Sequence, residues 1–415
     1  MKLAIIVTEY PKSTETFIYR DLVKFAELGT EIRLYHLAPF RRNQTLHAFA
    51  EPTRAWAKAL GFAGRPALGA LARAAIRHPL ALAGAVAKIV RAYAALPKIG
   101  IKSLAMLPKA LAIAEDARRW GATHVHAEFA GHPATAAWFG HRLGGLPYSV
   151  SCRAHDIFRT QQLLDAKLGE AKSVRTVSEF GRSFLQAQVP GMAAREIHVI
   201  HSSVDVDAII PVATQPSIAP FRILYVGALE PKKGVEYLID ALTLAGPMLG
   251  DWTCEAIGHG PSAEALRARA TSRGLADRVV FHGMQPFEQV AAAYARASVC
   301  VAPSVIGPNG RQEGIPNVMI EALAYQRPAI TTNISGIPEL IRDGDTGLLI
   351  PQRDAAALAR ALRRVYDDPA AALAMAKRGR AHVEAEFDLA VNARRQLELF
   401  GDPSSRRDAA EQTSP

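Results

Sequence analysis

The stretch Phe221-Arg222-Ile223-Leu224-Tyr225-Val226-Gly227-Ala228-Leu229-Glu230-Pro231-Lys232-Lys233-Gly234 decides the fold. Its first six residues form a short apolar run rich in β-formers, which reads as a buried strand. Gly227 opens a turn. The apolar-periodic run Val235–Ala245 then reads as a helix. Strand, glycine turn and helix in this order begin a parallel sheet whose faces helices will cover.

The same unit recurs on both sides. Toward the C-terminus, Trp252–Ile257, Val279–Phe281, Val299–Ala302, Ala329–Thr331 and Leu348–Ile350 read as strands, with helices between them. Toward the N-terminus, Leu3–Val7, Glu31–Leu37, His124–Glu128, Tyr148–Cys152, Ser173–Val177 and Ile197–Ile200 do the same. Between the two runs lies Pro211–Pro220, whose three prolines mark a linker. The expected organisation is a first α/β domain over 1–210, a linker over 211–220 and a second α/β domain over 221–388. A helix over 389–400 is expected to cross back to the first domain, and 401–415 to be a disordered tail. A chain of 415 residues is long enough for two cores.

Composition narrows the function classes. Three scattered cysteines show neither disulfide nor metal spacing. No stretch approaches the roughly 20 apolar residues that span a bilayer. The apolar run at the N-terminus is too short for a signal peptide, which suggests a cytoplasmic protein. The net charge of +10 is concentrated: ten Lys/Arg and no Asp or Glu lie in the helical insertion, about 52–114. At about 100° per residue, Arg73, Arg77, Lys88, Arg91, Lys98, Lys102 and Lys109 fall in a wedge of roughly 80° on one wheel, although Pro79, Pro97 and Pro108 argue for several helices rather than one. Such a face suits an anionic membrane surface, as a peripheral contact on the inner face. Sparse aromatics and the lack of any recognition motif argue against nucleic acid. Neither first βα turn contains Gly-x-Gly-x-x-Gly, which argues against a dinucleotide dehydrogenase.

Chemistry is concentrated in Glu313-Gly314-Ile315-Pro316-Asn317-Val318-Met319-Ile320-Glu321. Gly314 and Pro316 suit a loop ending at the N-terminus of a helix over Val318–Tyr325. Backbone N–H groups there attract phosphate, and Glu321, a turn further on, would reach a ribose. Lys233, after the first strand of the second half, would add a cation for a phosphate leaving group. Both loops should open on the same sheet edge. His124, His126 and His132, and the Asp-x-Asp pairs at Asp205 and Asp343, lack convincing metal spacing, so no metal is expected.

Matching pieces run nearly end to end: Ser13-Thr14-Glu15-Thr16-Phe17-Ile18, His126, His155-Asp156-Ile157-Phe158, Lys233-Gly234, Pro303-Ser304, Glu313 to Glu321, and Asn333 to Glu339. With these the chain resembles the retaining glycosyltransferases of family 4, and is similar to the colanic-acid and exopolysaccharide branch. The resemblance implies the GT-B fold, two Rossmann-like domains facing across a cleft. It implies no cofactor, a nucleotide-diphosphate sugar as donor, and a glycan or lipid-linked glycan as acceptor. In the roles it implies, Glu313 touches the donor sugar and Glu321 the ribose. Backbone amides near Pro316, Asn317 and Val318 meet the diphosphate, Lys233 neutralises it, and Gly227, Ala228, Gly314 and Ile315 belong to the donor-binding side. Glu15, Thr16, His126 and Asp156 belong to the acceptor side.

Two positions depart from the family's pattern. Ala228 stands where the family has arginine, and Arg153 where it has histidine. One expectation is that Arg153 supplies the missing cation while His155 takes over the histidine's role, making both catalytic with Glu313. The alternatives are a catalytically weak or inactive nucleotide-sugar-binding protein, or an enzyme that epimerises the free donor.

Overall fold

A computed structural model describes residues 1–12, 15–41, 48–158, 160–214, 216–307 and 310–401, with the backbone alone for His155. Ser13, Thr14 and residues 402–415 of the expected tail lie outside the described residues. The chain divides into two compact units: Met1–Ile200 with the stretch from Ala390, and His201–Leu389.

The first unit holds seven parallel strands: β1 (Lys2–Val7), β2 (Glu31–His36), β3 (Ala57–Lys58), β4 (His124–Glu128), β5 (Tyr148–Cys152), β6 (Ser173–Thr176) and β7 (His198–Val199). Their order is β3-β2-β1-β4-β5-β6-β7. The apolar run of β1 serves both faces of the sheet, because successive side chains point to opposite sides. Leu3, Ile5 and Val7 pack with Leu22 and Phe25 of the helix Thr16–Glu27 and with Leu397 and Phe400 of the helix Leu389–Phe400. Ala4 and Ile6 pack on the opposite side with Leu111, Trp138 and Phe139.

The second unit repeats the plan with β8 (Phe221–Val226), β9 (Trp252–Ile257), β10 (Val279–Gly283), β11 (Val299–Ala302), β12 (Ala329–Thr332) and β13 (Leu348–Ile350). The order is β10-β9-β8-β11-β12-β13, again parallel. Phe221, Ile223 and Tyr225 face one core and Leu224 the other. Each sheet reverses its order at its first strand, between β1 and β4 and between β8 and β11. That switch point leaves a crevice at the carboxyl ends of the strands, where ligands of such sheets bind.

Three features differ from expectation. The chain passes between units at Ile200–His201, and the proline-rich stretch lies on the second unit. There Val212 N–H donates to the Tyr325 carbonyl at 3.1 Å, and Arg327 donates to the Val212 carbonyl at 2.6 Å. Second, β3 is a two-residue edge strand that no pattern announced. Third, the basic residues do not share one wedge, although the segment does break into several helices as its prolines predict. It forms helices Arg65–Arg77, Pro79–Ala92, Pro97–Ala105 and Leu107–Trp120, with proline near each start. Every break resets the phase, so the wedge disperses. Lys109 turns inward and donates to the Leu37 carbonyl at 2.8 Å, and burial holds its ammonium down at about 8. Arg73 is paired with Glu115 at 2.5 Å.

Candidate functional site

The loops after β8 and β11 flank the switch point of the second unit, and backbone chemistry brings them together. Gly234 has φ of +65°, and a Cβ there would lie 2.0 Å from the Pro303 carbonyl oxygen, so only glycine fits. Val305 N–H donates to the Lys232 carbonyl at 2.8 Å. The close contact that fixes Gly234 therefore also fixes the two lysines before it.

Both lysines converge on one carboxylate. Lys232 Nζ lies 2.7 Å from Glu313 Oε1, and Lys233 Nζ lies 2.8 Å from Glu313 Oε2. The Glu313 side chain is 12% exposed. Burial works to raise its carboxyl, but Lys233 and Lys232 outweigh it and hold the group at about 2. Two ammoniums against one carboxylate leave a net positive charge in a partly desolvated loop pair. Lys232 was missed in the sequence. Its neighbour looked like the sole functional lysine of the pair, and only the fold shows both reaching Glu313.

Four residues beyond Glu313, the helix Asn317–Ala324 begins, with Pro316 as its cap residue. The first-turn N–H groups of a helix have no carbonyl within it, and its dipole favours negative charge there. Gly314, Asn317 and Val318 are partly exposed, whereas Ile315 and Pro316 are buried. Glu321 stands one turn in, partly buried, and accepts from the Tyr294 hydroxyl at 3.3 Å. Tyr294 also donates to the Val318 carbonyl at 3.1 Å and stacks on Tyr325 with centroids 5.2 Å apart. Gly227 and Ala228 begin the loop after β8. The Tyr225 hydroxyl donates to the Ala228 carbonyl at 2.8 Å, so at this position the main chain is engaged, not a cation. Burial, with Glu313 nearby, pushes that hydroxyl up.

In the first unit the expected residues have a different setting. Arg153 is buried, with its guanidinium 3.2 Å from Glu128 and 3.9 Å from Asp21 and its centre 4.2 Å from the Phe17 ring. The charge expected to serve a leaving group is thus engaged by carboxylates of its own unit. Neither partner was legible as such: Glu128 ends a strand and Asp21 lies inside a helix. Asp156 is buried too, accepting N–H bonds from Ala130 at 2.5 Å and Arg153 at 2.8 Å. Burial pushes its carboxyl up to about 7 against those bonds. It pins together the turns after β4 and β5. Lys167 donates to the Ala130 carbonyl at 2.5 Å, holding the same residue from its other side.

His126, expected on the acceptor side, is 1% exposed. Its ring nitrogens meet Ser149 Oγ at 2.7 Å and Ser151 Oγ at 3.0 Å, and Phe400 covers the ring at 4.6 Å. This is a packed, hydrogen-bonded core histidine. Glu15 precedes the helix Thr16–Glu27 and takes a bond from Lys12 at 2.7 Å, while Thr16 opens that helix. His155 lies in the short helix Ala154–Phe158, and its side chain is outside the described residues. Among the described residues no group of three His, Cys, Asp or Glu is placed to hold a metal ion.

Two parallel-sheet, Rossmann-like units of this kind make up the GT-B fold. Residues 220–368, most of the second unit, match the family model for glycosyl transferases group 1. Over 409 residues it is 27% identical to the putative colanic acid biosynthesis glycosyltransferase WcaL of Escherichia coli K12, covering 96% of this chain and 99% of that one. A sucrose-phosphate synthase of Thermosynechococcus elongatus superposes with a TM-score of 0.70 at 21% identity, covering 99% of this chain and all of the other. Anabaena HepE, solved with UDP-glucose, gives 0.69 at 18% identity, covering 96% and 98%.

Proposed function

We propose that this glycosyltransferase moves a hexose-like sugar from a nucleotide-diphosphate sugar onto a glycan or lipid-linked glycan. It does so with retention at the anomeric carbon and without a metal, in the synthesis of a cell-surface polysaccharide. The observation that carries this is the Lys232–Glu313–Lys233 cluster, four residues before the N-terminus of the helix Asn317–Ala324. As the bond between the anomeric carbon and the diphosphate oxygen breaks, its electron pair passes to that oxygen. Fixed cations and helix N–H groups stabilise the growing charge without reorganising. The acceptor hydroxyl bonds to the anomeric carbon on the face the diphosphate leaves, and its proton passes to the departing phosphate. Glu313, ionised and oriented by both lysines, accepts from sugar hydroxyls; Glu321 accepts from a ribose. The nucleotide-sugar bound by HepE and the name of WcaL support the donor and product classes. A cytoplasmic site at the inner membrane face would meet a lipid-linked acceptor.

A second reading is a nucleotide-sugar-binding protein with little turnover. Ala228 and the engagement of Arg153 by Glu128 favour it. One experiment separates the two. Thermal unfolding with UDP-glucose and related donors identifies a ligand, because binding raises the transition by mass action. Release of diphosphonucleoside from that donor, with and without a glycan acceptor, then measures turnover. Stabilisation with release supports transfer; stabilisation without release supports the second reading.

A further inference from the structure

The helix Pro79–Ala92 is apolar on both sides. Its inner side is normal, with Ala85 and Ile89 fully buried. Its outer side carries Leu80, Ala83, Ala87 and Val90, spaced so that they form one stripe. All four are exposed, Leu80 by 88% and Val90 by 55%. The stripe begins at a corner. From Ala75 to Leu80 every residue is exposed, and Ile76, just before the break at His78, is exposed by 80%. The helix Pro97–Ala105 adds Ile101, exposed by 67%. Single exposed apolar residues are ordinary, but an outer apolar stripe on a helix whose inner side already fills a core marks an interaction surface.

Charge selects between the possible covers. Arg77, Arg91, Lys98 and Lys102 are exposed around the stripe, and no carboxylate occurs between Pro52 and Ala114. A second copy of the chain would bring the same positive face against it. An anionic bilayer offers apolar depth and negative headgroups together. Among the described residues no helix is long and apolar enough to cross a membrane, so the contact is interfacial.

We propose that the corner Ala75–Leu80 and the outer stripe of Pro79–Ala92 seat the protein on an anionic lipid surface. Ile76 and Leu80 enter between headgroups, and Arg77, Arg91, Lys98 and Lys102 pair with lipid phosphates. This surface gives the proposed lipid-side location a structural basis. It does not depend on the transfer reaction, because every residue in it lies outside the donor loops.

Co-sedimentation of the full chain with phosphatidylcholine vesicles, with and without phosphatidylglycerol, tests it. Wild type partitions onto the anionic vesicles, and salt weakens the binding. Ile76→Ser with Leu80→Ser lowers the partition constant on the order of tenfold per residue. Arg91→Gln, Lys98→Gln and Lys102→Gln lower it about fivefold per residue. All five positions are exposed, so both variants should unfold at the wild-type temperature and keep the donor-induced thermal shift. Equal partition onto both vesicle types, or unchanged binding in either variant, overturns the proposal. So does a wild-type dimer in light scattering that the Ile76→Ser, Leu80→Ser variant dissolves, which would assign the face to a second copy. Failure of the donor shift in wild type would count against the transfer reading alone.

Discussion

Lys233 meets Glu313 at 2.8 Å across 80 positions of sequence. The contact joins the loop after β8 to the loop after β11, and makes one electrostatic unit from segments that are separately unremarkable. Lys232 completes it from the other carboxylate oxygen.

Replacing Lys233 by alanine is expected to lower turnover on the order of 100-fold, the scale for losing one preorganised donor to a developing oxyanion. Lys232→Ala should be felt chiefly as weaker donor binding, because in the proposed reaction Lys233 would still face the phosphate. Steady-state kinetics on both variants decides; a Lys233→Ala enzyme at the wild-type rate removes that residue from the mechanism.

The Glu313 carboxyl sits at about 2, below its ordinary 4.5. A depressed carboxyl stabilises the fold above its ordinary value and loses that contribution as pH falls through the folded value. The stability advantage of wild type over Glu313→Gln should therefore be full at neutral pH and shrink between about 4.5 and about 2. Unfolding midpoints of both proteins across that range test the sign; a gap independent of pH would show the lysines do not bind an ionised Glu313.

Arg153→Met should destabilise the protein by about 3–5 kcal/mol, the cost of leaving buried carboxylates without their cation. Glu128 and Asp21 are the groups left behind. Denaturant unfolding measures this directly. A stable variant with impaired turnover would instead return Arg153 to the catalytic machinery.

Gly234→Ala must move the Pro303 carbonyl and hold an L-residue at φ +65°. A loss of on the order of 2 kcal/mol is expected, together with a smaller donor-induced thermal shift. Wild-type values on both counts would mean the loops are not held by this contact.

Treatment with a chelator should leave turnover unchanged, since lysines carry the charge in the proposed reaction. Activity lost to chelation and restored by a divalent cation would overturn that part of the proposal.

The sheets were legible because strands buried on both faces write themselves as unbroken apolar runs, as in Leu3–Val7 and Phe221–Val226. The helix of the 313–321 segment was legible from Pro316, and is displaced by one residue from its expected span. What stayed hidden depends on tertiary partners. Arg153 looks like an available cation until Glu128 and Asp21 close on it. The prolines at 79, 97 and 108 announced several helices, but the basic wedge was laid out on a single wheel, and each break resets its phase. Lys109 carried the same charge as its neighbours, yet it is the one that turns to the Leu37 carbonyl. His126 read as core or cleft lining, because periodicity cannot say which end of the chain will cover a strand.

That covering has a consequence for how the polypeptide can be cut. Phe400 lies over Phe25, His124 and His126, so the first 200 residues alone would expose this core to water. The second unit, by contrast, is a single uninterrupted stretch whose entry and exit are knotted side by side: Val204 N–H donates to the Phe387 carbonyl at 3.0 Å, and Leu389 N–H returns a bond to Val204 at 2.9 Å. Covalently, one module is nested inside the other. The nested module is one continuous segment, whereas a ribosome cannot finish the outer one until it has passed through the nested one.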